Sequence, residues 1–110
     1  MDTLTLTNET FRSQVEHGVT LVDFYATWCG PCQSQLPIVE ELAGEMKHSA
    51  SVAKINIDEE SEIASTYGVK SIPTLMIFKD GYVVETMVGL QSKSFLREKL
   101  DQYLSIGDTC

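Results

Sequence analysis

Cysteine is scarce: three occur in 110 residues, an odd and small number that argues against a disulfide scaffold. Positive charge is scarce as well. Eight Lys and Arg face 16 Asp and Glu, and the formal charge of −8 repels phosphate backbones and anionic lipid surfaces. Nucleic acid and membrane are therefore not expected as partners. No apolar run approaches the ~18 to 20 residues that span a bilayer. Met1 to Glu9 carries neither a basic segment nor an apolar stretch of the secretory kind, so a soluble, cytoplasmic protein is expected. Internal repeats, linkers and low-complexity segments are absent, as is a glycine-rich dinucleotide fingerprint.

What is present is ordinary globular material, 43% apolar and 22% charged. A chain of this length forms one domain that buries roughly 60 to 68% of its unfolded surface. Residues 1–110 are read as that domain, with 105–110 as a flexible tail. The acidic cluster Asp58, Glu59, Glu60 and Glu62 reads as a solvated helix start favoured by the macrodipole, and no function is assigned to it.

Thr3 to Leu6 alternates as a short strand, and Phe11 and Val15 sit one helical turn apart before Gly18. Leu21-Val22-Asp23-Phe24-Tyr25-Ala26 is nearly continuous in apolar character, as in a strand buried on both faces. Leu36, Val39, Leu42, Ala43 and Met46 then recur three or four apart, describing an amphipathic helix from Cys32 to Met46. Pro37 lies inside it, removes the hydrogen bond to the carbonyl of Gln33, and is expected to kink the helix and split off a short first turn.

Ser51 to Ile57 supplies the next strand, completing a strand-helix-strand unit with an expected right-handed crossover. A short helix around Ile63 to Tyr67 ends at Gly68. Strands Thr74 to Phe78 and Tyr82 to Val88 flank Lys79-Asp80-Gly81, where Asp-Gly signals a tight hairpin. Ser92 caps a final helix with a buried stripe of Phe95, Leu96, Leu100, Tyr103 and Leu104. The sum is an α/β protein: a single mixed central sheet of about five strands flanked by helices on both faces.

Trp28-Cys29-Gly30-Pro31-Cys32 falls where the central strand ends and the helix begins. Residues three apart on a helical turn carry Cβ atoms ~5 to 6 Å apart, so a small adjustment converts dithiol to disulfide. The helix start points free N–H groups and the positive dipole end at Cys29, which favours its thiolate and makes it the nucleophile. Cys32, one turn deeper, is the resolving thiol. Pro31 stiffens the first turn, where its missing N–H has no intrahelical partner to lose.

The competing reading of such a pair is half of a zinc site, but His17 and His48 are isolated and Cys110 sits in a polar tail. Cys110 lacks positive neighbours and is expected to be a sluggish thiol that pairs two chains on oxidation.

Asp23 is an acid within an apolar strand leading to the cysteines. Either it is satisfied by a hydroxyl or by Lys54, or it takes a raised pKa and relays a proton to and from Cys32. Pro73 is either an ordinary proline opening a strand or a cis-proline. Trp28, as a lone tryptophan, belongs more often to a core than to a contact surface.

Trp28-Cys29-Gly30-Pro31-Cys32, Val22-Asp23-Phe24 and Ile72-Pro73-Thr74 together resemble the thioredoxin family over nearly the whole chain. The resemblance implies the thioredoxin fold, Asp23 as the buried acid with Lys54 as its neighbour, and Pro73 as a cis-proline whose preceding backbone faces the cysteines. It also implies a docking surface of Trp28, Gly30, Pro31, Ile72, Pro73, Val88 and Gly89 for disulfide-containing target proteins. Gly30-Pro31 looks like the reducing members of the family, whereas disulfide isomerases typically carry Gly-His and glutaredoxins Pro-Tyr. Gly-Pro adds no cation to over-stabilise the thiolate.

A protein-disulfide reductase is thus implied, a monomer with no bound cofactor beyond its Cys29–Cys32 pair. A separate thioredoxin reductase would recycle it, supplying nicotinamide and flavin. Gln33, Tyr25, Ser71 and the tail from Ser105 depart from the commonest family pattern and bear on partner preference.

Overall fold

A computed structural model of the chain describes residues 2–107. Its elements run β1 (Leu4–Thr5), α1 (Phe11–Val15), β2 (Val19–Tyr25), α2 (Gly30–Met46), β3 (Ser51–Asn56), α3 (Ser61–Thr66), β4 (Thr74–Lys79), β5 (Tyr82–Val88) and α4 (Lys93–Gly107). The sheet order is β1-β3-β2-β4-β5, with β1, β3 and β2 parallel and β4 and β5 antiparallel. The apolar β2 run lies at the middle of five strands and is buried from Val19 to Phe24. Burial on both faces is what its near-continuous hydrophobicity encodes.

Strand periodicity sorts the core into two layers. Val19, Leu21, Val52, Leu75 and Ile77 face α2 and α4, where they meet Val39, Leu42, Met46, Leu96 and Leu100. Val22, Phe24, Ala53, Ile55, Met76 and Phe78 face the other way, toward Phe11 and Val15 of α1 and Ile63 and Tyr67 near α3. There Phe78 meets the rings of Phe11 and Tyr67 edge-on, with centroids 5.4 and 5.3 Å away.

The Asp80-Gly81 turn has φ of +50° and +92°, the paired left-handed conformation of the tightest hairpins, and Lys79 pairs with Tyr82 across it.

Two expectations change. Helix α2 is a single element through Pro37, so the proline does not split it. Burial of Val39, Leu42, Ala43 and Met46 at the sheet outweighs one missing hydrogen bond. Phe95 is 37% exposed and lies off the stripe, with the Lys99 ammonium 5.6 Å from its ring centroid. Leu96, Leu100, Tyr103 and Leu104 keep the i, i+4, i+7, i+8 spacing that Phe95 misses by one position. Helix α4 runs to Gly107. Cys110 lies outside the described residues.

Candidate active site

The end of β2 delivers the chain to the start of α2, and the cysteines occupy that junction. Cys29 is the N-cap residue, with extended φ and ψ of −90° and 117°. Its Sγ accepts the backbone N–H of Cys32 at 3.2 Å, one of the donors that a helix start leaves without an intrahelical partner. Pro31 lies in the same turn, where it forfeits no hydrogen bond.

The two sulfurs are joined, with Cα atoms 5.2 Å apart. Cys29 is 6% exposed and Cys32 0%, so only the first sulfur meets an incoming molecule. Tyr25, Ala26, Ile57 and Ile72 pack around them. The Gln33 amide donates to the Thr27 carbonyl at 2.9 Å and draws the loop closed before the helix.

Asp23 lies on the β2 face covered by α2, sharing it with Val19 and Leu21 by strand periodicity. It is fully buried, and neither carboxylate oxygen has a hydrogen-bond partner among the described residues. Burial raises its pKa from 3.8 to about 7, opposed by the positive charge of Lys54. Lys54 is its register partner on β3 and shares its face, but acts across space without a hydrogen bond. Of the two readings of Asp23, satisfaction by a hydroxyl or by Lys54 has no support in this geometry.

The peptide bond between Ile72 and Pro73 is cis, and the Ile72 carbonyl oxygen lies 3.8 Å from Cys29 Sγ. Pro73 is buried, and backbone at Ile72 borders the sulfur. The Pro73 carbonyl accepts the N–H of Gly89 at 2.8 Å, and Gly89 has φ +94°, a conformation that a side chain would strain. Val88, paired with Thr74 where β4 and β5 meet the site, is 62% exposed. Gly30 and Pro31 are exposed on the other side of the cysteines.

Trp28 overturns the core expectation for a lone tryptophan, being 69% exposed. Its indole N–H donates to Asp58 Oδ2 at 2.7 Å, which anchors the exposed ring. Asp58 comes from the acidic cluster to which no role had been assigned. Its carboxylate reaches Trp28 because β3 ends beside β2, an adjacency that local sequence does not display. Gln35 was also missed. It is a fully buried polar residue on α2, at the i+3 position from Cys32, and that polar interruption of the apolar helix was its signal.

Among the described residues, no group of three or more His, Cys, Asp or Glu is placed to hold a metal ion. The redox-active group is the disulfide itself.

Known proteins share this fold and much of this sequence. The family model Thioredoxin matches residues 2–102. The thioredoxin of Staphylococcus epidermidis is 50% identical over 99 residues, covering 90% of this chain and 95% of that protein. The thioredoxin of Staphylococcus aureus has the same identity and coverage. Among solved structures, a mutant thioredoxin from Halobacterium salinarum superposes with a TM-score of 0.85 at 43% identity, covering 94% of this chain and 92% of that one. With the match running over most of both partners, and with a dithiol pair at a strand-helix junction beside a cis-proline, this chain belongs to the thioredoxin family.

Proposed function

We propose that Cys29 is the attacking thiol and Cys32 the resolving thiol of a protein-disulfide reductase that keeps protein thiols reduced. Thiol-disulfide exchange is the family's activity, and targets with disulfides and a reductase are its general partners. The observation that carries the assignment of roles is the unequal burial of the two sulfurs, with the accessible one at the helix N-cap.

A target disulfide docks with its backbone along Ile72 and Pro73, between Trp28 with Gly30 and Pro31 on one side and Val88 with Gly89 on the other. The Cys29 thiolate attacks one target sulfur, the target S–S bond breaks, and the departing sulfur leaves as a thiolate that takes up a proton. A Cys29-to-target disulfide results. Asp23 accepts the Cys32 proton, and the Cys32 thiolate attacks Cys29 Sγ and expels the second target sulfur. Two electrons have passed to the target, whose two sulfurs take up one proton from Asp23 and one from solvent, and Cys29–Cys32 is oxidised.

Lys54 draws the Asp23 pKa down toward the range in which it exchanges a proton at neutral pH. Gly30-Pro31 between the cysteines supports the reducing direction, since neither residue adds positive charge. A separate thioredoxin reductase restores the dithiol.

The protein works as a monomer in the cytoplasm. No helix among the described residues is long and apolar enough to cross a membrane. The test is turnover of insulin disulfides with dithiothreitol as electron source. Wild type should catalyse precipitation of the insulin B chain, and Cys32→Ser should not. Equal rates in both would remove the two-thiol mechanism.

A further inference from the structure

Gln35 stands one turn beyond Cys32, and both side chains leave α2 on the same side. Its amide is fully buried, where a polar group left unpaired is costly. Gln35 directs the amide at a single residue. Its Oε1 accepts the N–H of Gln91 at 2.7 Å, and its Nε2 donates to the carbonyl of Gln91 at 3.0 Å.

Gln91 lies between β5 and α4 in no strand, so the Gln35 side chain supplies both bonds that a neighbouring strand would have made. The Gln91 amide turns back in its own right, donating from Nε2 to the carbonyls of Val88 at 3.3 Å and Gly89 at 3.2 Å. Gly89 then donates its N–H to Pro73, and the neighbouring Ile72 carbonyl borders Cys29. A continuous set of contacts leaves α2 one turn after Cys32 and returns to Cys29 along the edge of the site.

We propose that Gln35 is a positioning residue for protein targets: it ties the Val88–Gly89 segment to the helix that carries the cysteines, fixing the height of that rim against the attacking sulfur. The proposal rests on the reading of Val88 and Gly89 as part of the docking surface. Gln35 accordingly matters for a protein disulfide, whose backbone must lie along the rim. It matters little for a small disulfide that reaches Cys29 alone. An amide serving stability only would not distinguish the two substrates.

The experiment compares steady-state reduction of insulin and of dithiobis(nitrobenzoate) by wild type, Gln35→Leu, Gln91→Ala and Val88→Asp. Losing the two bonds in Gln35→Leu should raise KM for insulin roughly fivefold and leave kcat within about twofold. The nitrobenzoate rate should stay within about twofold, and the titration of the Cys29 thiol should not move. Gln91→Ala keeps the bonds from Gln35 and loses only those of its own amide, so its insulin KM should rise in the same direction by less. It carries the test should Gln35→Leu fail to fold.

The proposal is overturned if both substrates slow equally or if the insulin KM is unchanged in both variants. Val88→Asp separates the two layers of argument. If it raises KM for insulin while the glutamine variants do not, the inference about Gln35 fails alone. If it leaves KM unchanged, the docking reading fails and takes the inference with it.

Discussion

Cys32 and Asp23 on one side of the site, and Cys29 with its rim on the other, meet at the end of β2 and the start of α2 under opposite conditions. Cys32 and Asp23 are sealed between α2 and the sheet, and the carboxylate finds no hydrogen-bond partner there among the described residues. Trp28 and Val88 are exposed, and Cys29 keeps a 6% opening beside them, with its Sγ taking a backbone N–H and Trp28 anchored to Asp58. The interior half holds a proton because the bare charge is costly there, and gives it up near neutral pH. The outer half meets the target. A dithiol enzyme needs this separation, because the second sulfur must stay away from targets until the first has reacted.

The largest effect should come from exchanging the sulfurs' roles. Cys29→Ser should lose all turnover above the dithiothreitol background. Cys32→Ser should lose turnover too but accumulate a covalent adduct with its target, since attack remains and resolution does not. Adducts are read on non-reducing gels by mass. Adducts in Cys29→Ser and none in Cys32→Ser would reverse the assignment and break the link between exposure and attack.

Asp23→Asn sharpens the interior half. The folded pKa of about 7 lies above the unfolded 3.8, so the native protein binds the proton more tightly than the unfolded chain. The stability this confers is full below about 3.8 and is lost as pH rises to about 7. Above that, wild type carries a buried charge that the Asn variant lacks. The stability difference in favour of Asn should therefore grow across that window, by at most roughly 3 to 5 kcal/mol. Chemical denaturation at several pH values measures it.

In the same variant the resolving step should slow by roughly 10- to 100-fold near neutral pH and lose its inflection close to pH 7. A stability difference that does not vary with pH, together with an unchanged rate profile, would make Asp23 an acid without function.

How much of this was legible depended on whether the governing interaction was local. The Asp80-Gly81 turn, the β2 run and the Ser92 cap, whose Oγ accepts the Phe95 N–H at 3.2 Å, are decided within a few residues and were read correctly. The dithiol pair was legible for the same reason, since a helix start is itself a local object. The partners of Asp23 were open because they depend on the register of β2 against β3, which puts Lys54 opposite it without a hydrogen bond. Trp28 and Gln35 depend on segments 30 and 56 residues away, Asp58 and Gln91. Composition priors place a tryptophan inside and a glutamine outside, and here both are reversed because each found a distant polar partner.

The smallest expected effect tests whether the outer half is ordered by such partners or only by exposure. Trp28→Ala removes a large exposed ring from the rim and should raise KM for insulin by roughly fivefold, an anchor worth about 1 kcal/mol, while Cys29 keeps its reactivity toward a small disulfide. Asp58→Asn keeps the size of the side chain and an acceptor oxygen but gives up the charge that strengthens the indole hydrogen bond, so its KM should rise by only about twofold. If Asp58 acts through Trp28, its substitution should add nothing once the ring is gone, and the double variant should match Trp28→Ala. Additive losses in that cycle would mean that Asp58 touches the target in its own right. The acidic cluster would then be a second contact on the rim rather than the support for its tryptophan.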